Sequence, residues 1–415
     1  MVVSDHGFGY LGANGRPDRA PSQELAEEQA MSEESKRSRG IRGGIAKRSP
    51  GRRVLRAVCR GAPVPAVLLA GLAFAEIAAT RKAADTNAPQ VRPVAVIPLI
   101  AKGPVIDGSI GEGEWNTLHV RQFVAKEGDL LEPRHGEFWI GSDGKMLYLA
   151  VRSAVHPDGP KADRKPRKGL KDAPLLELDD SIELWIDAAP DDKDGRHFRL
   201  LLNTLGAQSD TMFDRKYNSQ RQWWRPDTYR HAQKLDKGIW TVELAVALKD
   251  LGIEESAQPI GMRVCRNYQQ PLDQSRWAPN VAQFSVRETM PRICFRPGAP
   301  VVGELGRQDD SGIRIAVELC NPTAKPLPLR VRLGHNPETK PRDYKDWSVT
   351  LKPREKRVFE YQKELDSPDN YPAVGEILVT DPEGTRLYHR DFKWHTRPKD
   401  PWQTPSDEKS GEAAQ

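Results

Sequence analysis

Two side chains of opposite charge stand on consecutive strand-like segments. Glu183 lies within Ser181-Ile182-Glu183-Leu184-Trp185-Ile186-Asp187, and Arg199 within His197-Phe198-Arg199-Leu200-Leu201-Leu202-Asn203. The first segment alternates polar and apolar residues with the period of a half-buried strand. Glu183 and Trp185 therefore share a face opposite Ile182, Leu184 and Ile186, while Arg199 stands opposite Phe198 and Leu200. A carboxylate beside a guanidinium can close a cross-strand ion pair, worth a few tenths of a kcal/mol to about 1. It can also line a site, where planar charged groups take paired hydrogen bonds and a flat ring covers an apolar face of a ligand. Four indoles are candidates for that ring. Trp185 shares the face of Glu183. Trp277 sits in a turn before Pro279. Trp223 and Trp224 are adjacent in a polar, Arg-rich loop, where extended backbone lets only one of them face a given site. A loop packing its own aromatics is the plain alternative for that pair, and Trp115, Trp139 and Trp240 read as core.

Other chemistry is less well marked. Asp179, Asp180, Asp187 and the Asp191-Asp192-Asp194 turn offer oxygens of the kind calcium takes, but without EF-hand spacing turn chemistry is the commoner explanation. A b-type haem would need an axial Met/His pair; Met212 and His231 exist without any spacing that recommends them. His135, His156, His197 and His231 show no ligand spacing, and no CxxC or Cys/His pattern suggests zinc. A glycosidase would need two carboxylates across a cleft; acids are plentiful, and no motif selects a pair.

The elements that must position these residues are strands. The chain has 415 residues, 38% of them apolar, and 34 prolines, a composition suited to β-rich, loop-rich domains. Its net charge of +5 is confined to residues 1–75; the remainder balances to zero, so no basic stripe is left to attract nucleic acid. Lys36 to Arg60 is basic and lacks acids. It is followed by a short apolar run ending Ala73-Phe74-Ala75, the layout of a secretory signal with an A-x-A cleavage site. Pro63 and Pro65 break the run, which is short for a membrane span. Export to the extracellular space or periplasm is therefore expected, with an uncleaved N-terminal anchor as the alternative. Past the leader, Cys265, Cys294 and Cys320 allow one internal disulfide at most.

Residues 76–93 read as a linker. Short strands and turn signals then run to Phe295: a hairpin around Ser142 to Lys145, the Glu183 and Arg199 segments, a hairpin around Asp236 to Gly238, and a strand over Ile260 to Tyr268. Six more strand segments follow between Ile313 and Trp394, and 396–415 is a polar tail expected to be disordered. The expected fold class is mainly β. An antiparallel, jelly-roll-like sandwich occupies 94–297, and a smaller immunoglobulin-like sandwich occupies 298–395.

Four segments in order resemble the family 9 carbohydrate-binding module: Val105-Ile-Asp-Gly-Ser-Ile-Gly-Glu-Gly-Glu-Trp115, Leu147-Tyr148, Asp180-Ser-Ile-Glu-Leu-Trp-Ile-Asp187 and Gly238-Ile-Trp-Thr-Val-Glu243. The resemblance spans roughly residues 100–297. It implies a β-sandwich, often attached to secreted glycosidases, that clamps a terminal sugar between two Trp rings with charged groups on the hydroxyls. Carried over residue by residue, it assigns hydroxyl contacts to Glu183 and Arg199 and the second ring to Trp277. The first ring's position, three residues before Asp180, is Glu177 here. The expectation is thus a secreted, non-catalytic protein recognising poly- or oligosaccharide in carbohydrate breakdown. The alternatives are a glycoside hydrolase or an accessory subunit of one, and a structural envelope protein whose sugar site is lost. In either non-catalytic reading, the C-terminal domain is a spacer or a contact for cell-envelope proteins.

Overall fold

The computed structural model describes residues 94–402, apart from 126–129, 162–174, 217–218, 223, 225–226, 279–282, 306–311, 338–342, 365–372 and 395–401. The leader, the linker, most of the Lys161–Lys171 loop and all of the tail except Trp402 lie outside the described residues, as does Trp223. No helix among the described residues is long and apolar enough to cross a membrane.

Twenty-one strands are formed among the described residues. They are β1 (Val94–Ile97), β2 (Leu118–Arg121), β3 (Val124–Ala125), β4 (Gly136–Ser142), β5 (Met146–Ala154), β6 (Ser181–Asp187) and β7 (Arg196–Asn203). Next come β8 (Gln208–Asp214), β9 (Ser219–Gln222), β10 (Arg230–Asp236), β11 (Ile239–Ala247), β12 (Ile260–Gln269), β13 (Leu272–Arg276) and β14 (Arg292–Phe295). The last seven are β15 (Val301–Glu304), β16 (Gly312–Cys320), β17 (Leu327–Pro337), β18 (Asp343–Leu351), β19 (Lys356–Glu364), β20 (Ala373–Thr380) and β21 (Arg386–Trp394).

They form two layers. One sheet runs β18-β17-β20-β21-β1-β14-β12-β6-β7-β8-β9, and the other β10-β11-β5-β4-β2-β15-β16-β19. Most pairings are antiparallel; β1 with β14 and β2 with β15 are parallel. The seven C-terminal strands split as β15-β16-β19 in one layer and β18-β17-β20-β21 in the other. Both sheets run without a break across Pro297, because β1 joins β21 to β14 and β2 joins β15 to β4. One large apolar core spanning both halves follows from this. Val120, Phe138 and Trp240 belong to the same buried cluster as Val317, Val331 and Val379. The inward-facing strand residues contribute through the same alternation: Ile182, Leu184 and Ile186 are 0–1% exposed.

The motif around Asp107 has a structural role that connects two segments of the sequence resemblance. Glu243, fully buried on β11, accepts hydrogen bonds from the Asp107 and Gly108 backbone N–H groups at 3.0 and 2.7 Å, and from Trp115 Nε1 at 3.1 Å. Gly108 has φ of +86°, and a Cβ there would lie 2.9 Å from the backbone of Gln233. Only glycine fits such a turn without strain. The turn between Val105 and Trp115 is thereby pinned to the sheet by one carboxylate.

Cys265, Cys294 and Cys320 are all free thiols. Burial pushes the thiol of each above its ordinary range.

Candidate functional site

Glu183 and Arg199 meet on the outer face of the first sheet. The β6–β7 register sets Trp185 opposite Arg199 and Glu183 opposite Leu201, so Arg199 reaches Glu183 diagonally. Arg199 Nε donates to Glu183 Oε2 at 3.0 Å, and its Nη2 donates to Glu177 Oε2 at 3.3 Å. Glu177 comes from the single 3-10 turn Leu176–Leu178 that leads into β6. Burial works against the charge on Arg199, but Glu183 and Glu177 more than offset it and hold its pKa above the ordinary value.

Glu183 itself is saturated. Its Oε2 also accepts from Trp185 Nε1 at 2.8 Å, and its Oε1 accepts from Asn267 Nδ2 at 3.0 Å. Asn267, on β12, is steadied in turn by Gln274 Nε2 at 2.8 Å. The exposures grade outward: side-chain values are 4% for Glu183, 24% for Arg199 and 34% for Glu177. A fixed carboxylate at the base thus orients a guanidinium whose outer edge reaches solvent.

The indoles are placed differently from the sequence expectation. Trp277 is fully buried and packs edge-on against Phe138 at 5.4 Å. Strand parity is the reason. Arg276 pairs with Cys265 on the outer face, so the next residue turns inward beside Val264. It has no ring face to offer a ligand. Trp224 is half-buried against Phe198 at 4.5 Å, on the core side of the sheet and therefore opposite Glu183. Trp185 does share the outer face with Glu183 and Arg199, but its ring is 6% exposed. It runs near-parallel to His197 and Phe213 in a ladder of rings, and Phe284 and Met290 pack with it. Of the site residues expected from sequence, the structure brings Glu183, Arg199 and Trp185 together and sends Trp277 and Trp224 to the core.

Glu177 and Asn267 are the partners sequence reasoning missed. Asn267 carried a usable signal. An amide is disfavoured in mid-strand unless its side chain is bonded, and parity places Asn267 with Cys265 on the outer face.

The acids considered for calcium are engaged by protein donors. Asp180 takes the Lys161 and Gln269 N–H groups, Asp179 takes Asn203, Asp187 takes a two-pronged contact from Arg287 at 2.5 and 2.6 Å, and Asp192 takes the Asp194 N–H. They pin loops to the sheet ends, and none is grouped with the others around a common point.

His197 provides a titratable probe of this face. Burial, followed by the nearby Arg287 charge, depresses its pKa to about 4. A histidine with a lowered folded pKa contributes stability above its unfolded value of about 6.5 and loses it as pH falls toward 4, because the unfolded state binds the proton first. The loss is on the order of 2 kcal/mol. His197→Phe keeps the stack on Phe213 and removes the titration. Thermal melts of this variant between pH 6.5 and 4.5 are expected to show a visibly shallower fall in Tm than the wild type.

No protein-family model matches the chain, and no curated protein does. Among solved structures, a putative carbohydrate-binding protein from Bacteroides uniformis aligns at 11% identity over 48% of this chain and all of its own, with a TM-score of 0.37. A family 9 carbohydrate-binding module from Caldicellulosiruptor kristjanssonii, in complex with glucose, aligns at 14% identity over 49% of this chain and 94% of its own, with a TM-score of 0.34. A Bacteroides uniformis beta-glucuronidase aligns at 9% identity over 73% of this chain and 32% of its own, with a TM-score of 0.18. At these values the likenesses carry no argument about ligand or activity.

Proposed function

We propose that residues 94–297 form a non-catalytic carbohydrate-binding module of an exported protein, with a contact face centred on Arg199. The sequence resemblance motivates the reading, and one observation carries it: Arg199 is held between a buried carboxylate and a half-buried one. The Glu183 bond fixes the guanidinium. The Glu177 bond, at 3.3 Å between partly exposed groups, belongs to a class of ion pair worth about 0–1 kcal/mol. A pair of sugar hydroxyls can displace it at little cost and bridge the same two charges. The aromatic clamp of the resembling family has no counterpart at Glu177 or Trp277, so contact would be made on one open face rather than in a slot.

The experiment is a glycan array followed by calorimetry on the folded chain. Charge-assisted hydrogen bonds contribute about 1.5–3 kcal/mol, so Arg199→Ala is expected to weaken binding about 10- to 100-fold. Glu177→Trp restores a ring where the resembling family has one, and is expected to tighten it. Absence of glycan binding by folded wild-type protein would overturn the reading.

A second reading, a structural envelope protein without a sugar site, is favoured by the burial of Trp277 and the covered ring of Trp185. In that case Glu177→Trp gains no ligand and Arg199→Ala loses none. Export rests on the leader composition alone, and N-terminal sequencing of the mature protein from culture fractions tests it.

A further inference from the structure

Far from Glu183 along the same sheet, β20 and β21 gather a second set of chemically competent side chains. The register places Glu376 directly across from Asp391, and alternation puts His389 on the same outward face. His389 Nε2 lies 3.3 Å from a Glu376 oxygen and 3.5 Å from an Asp391 oxygen. The three ligand atoms all fall within 4.8 Å of one another, and they form the one such cluster among the described residues. The imidazole is 4% exposed at the base, while Glu376 and Asp391 are 20% and 38% exposed above it.

This spacing suits a metal. Ligands at about 2.0–2.1 Å from a tetrahedral ion stand about 3.3–3.4 Å apart. Both imidazole-to-carboxylate edges match that value with the histidine where it is. The single Nε2 proton is, by contrast, a poor match for two carboxylates that face the same nitrogen. Glu376 is also held from behind by a hydrogen bond with Tyr344. The Tyr344 ring can lie over β17 because residue 334 is glycine: a Cβ there would come 2.3 Å from Tyr344 Cδ1. Such outer contacts orient metal ligands.

Two carboxylates and a neutral imidazole match the charge of a divalent ion. The nitrogen donor disfavours calcium and magnesium, which take oxygen ligands, and among first-row metals zinc tolerates a mixed N/O set in tetrahedral geometry. Two cations face the cluster: Lys393, by alternation on β21, and Arg332. The latter is tied to Asp346 at 2.8 and 3.3 Å. With three protein ligands at the solvent-facing side of a sheet, the fourth position would go to water or to a ligand from outside.

We propose that Glu376, His389 and Asp391 form a zinc-binding site that staples β20 to β21 in the C-terminal half of the sheet. The proton is the competitor for Nε2. Metal binding takes that nitrogen unprotonated, so occupancy must rise with pH.

The test uses the full chain, stripped with chelator and titrated with zinc alone at pH 7.5 and 6.0. One equivalent is expected to bind at pH 7.5 and to raise the Tm, with weaker binding at pH 6.0. His389→Gln and Asp391→Asn are each expected to weaken binding at least tenfold. His135→Gln, at an exposed histidine beside Glu137 on the other sheet, serves as control and is expected to change nothing. Melts in chelator check that each variant is folded; Asp391→Asn, at the most exposed ligand, keeps the test open if His389→Gln is not. No zinc uptake by the wild type, or uptake unaltered in the folded variants, overturns the proposal and leaves a protonated histidine between two acids.

Discussion

Glu304→Ala is expected to lower the stability of the whole sandwich by about 3–5 kcal/mol, the usual cost of leaving a buried charge without its partner. Glu304, on β15, is 3% exposed and accepts from the Arg121 N–H at 3.0 Å, from the Tyr388 hydroxyl and from Arg390 Nη1. Arg390, 1% exposed on β21, also donates to the Arg121 and Gln122 carbonyls at 2.9 and 2.6 Å. Burial, with the adjacent carboxylate, pushes the Tyr388 hydroxyl well above its ordinary range, so it remains a donor. These bonds tie β21 to β15 and to the end of β2, where the N-terminal and C-terminal halves of both sheets meet. Removing the carboxylate strands a guanidinium and a phenol there together. Calorimetry should register a Tm drop of about 5–8 °C for a cooperative unit of about 300 residues. Because both sheets are continuous, the wild-type sandwich should melt in one transition. Glu304→Ala should broaden or split it as the halves uncouple. An unchanged single transition in the variant would show that the apolar core alone carries the coupling.

Much of this architecture was legible in alternation. The segments around Glu183, Trp240 and Ile315 read as strands because one face of each is apolar. Strands β8, β9 and β13 escaped notice because Gln208–Asp214, Ser219–Gln222 and Leu272–Arg276 have no clean apolar face; they pair at the end of the sheet or beside it. The strand pattern restarts after Pro297, and nothing in it shows that both sheets continue across that point. That continuity depends on β1 pairing with β21 and on β2 meeting β15, contacts between residues almost 200 or more positions apart. Local sequence carries no record of them. Within the site, parity predicted that Glu183 and Arg199 would share a face. The same rule, applied from the β13 pairing, places Trp277 inward; a turn before a proline had suggested the opposite.

Glu183→Ala and Arg199→Ala are expected to have unequal consequences for stability, although the two residues share one ion pair. Deleting the Glu183 carboxylate leaves three donors seeking an acceptor: Trp185 Nε1, Arg199 Nε and Asn267 Nδ2. Arg199 keeps Glu177, and Asn267 keeps Ser181 Oγ at 3.0 Å, so the cost is that of one orphaned indole N–H and two weakened donors. At about 1–3 kcal/mol for each unsatisfied buried group, the loss should be about 3 kcal/mol, measured as a shift in urea midpoint at constant slope. Deleting Arg199 leaves Glu183 with two of its three hydrogen bonds and frees Glu177 to solvent. Glu183 loses its cation while 4% exposed, but the space left by a guanidinium that is 24% exposed admits water to it, so the cost should be about 1–2 kcal/mol rather than the roughly 3–5 of a fully buried pair. The asymmetry bears on function. A guanidinium whose outer edge reaches solvent, and whose removal costs less than that of the carboxylate holding it, is free to meet a group outside the fold. If urea melts instead show Arg199→Ala as damaging as Glu183→Ala, the pair is structural, and the sugar-binding reading loses the observation it rests on.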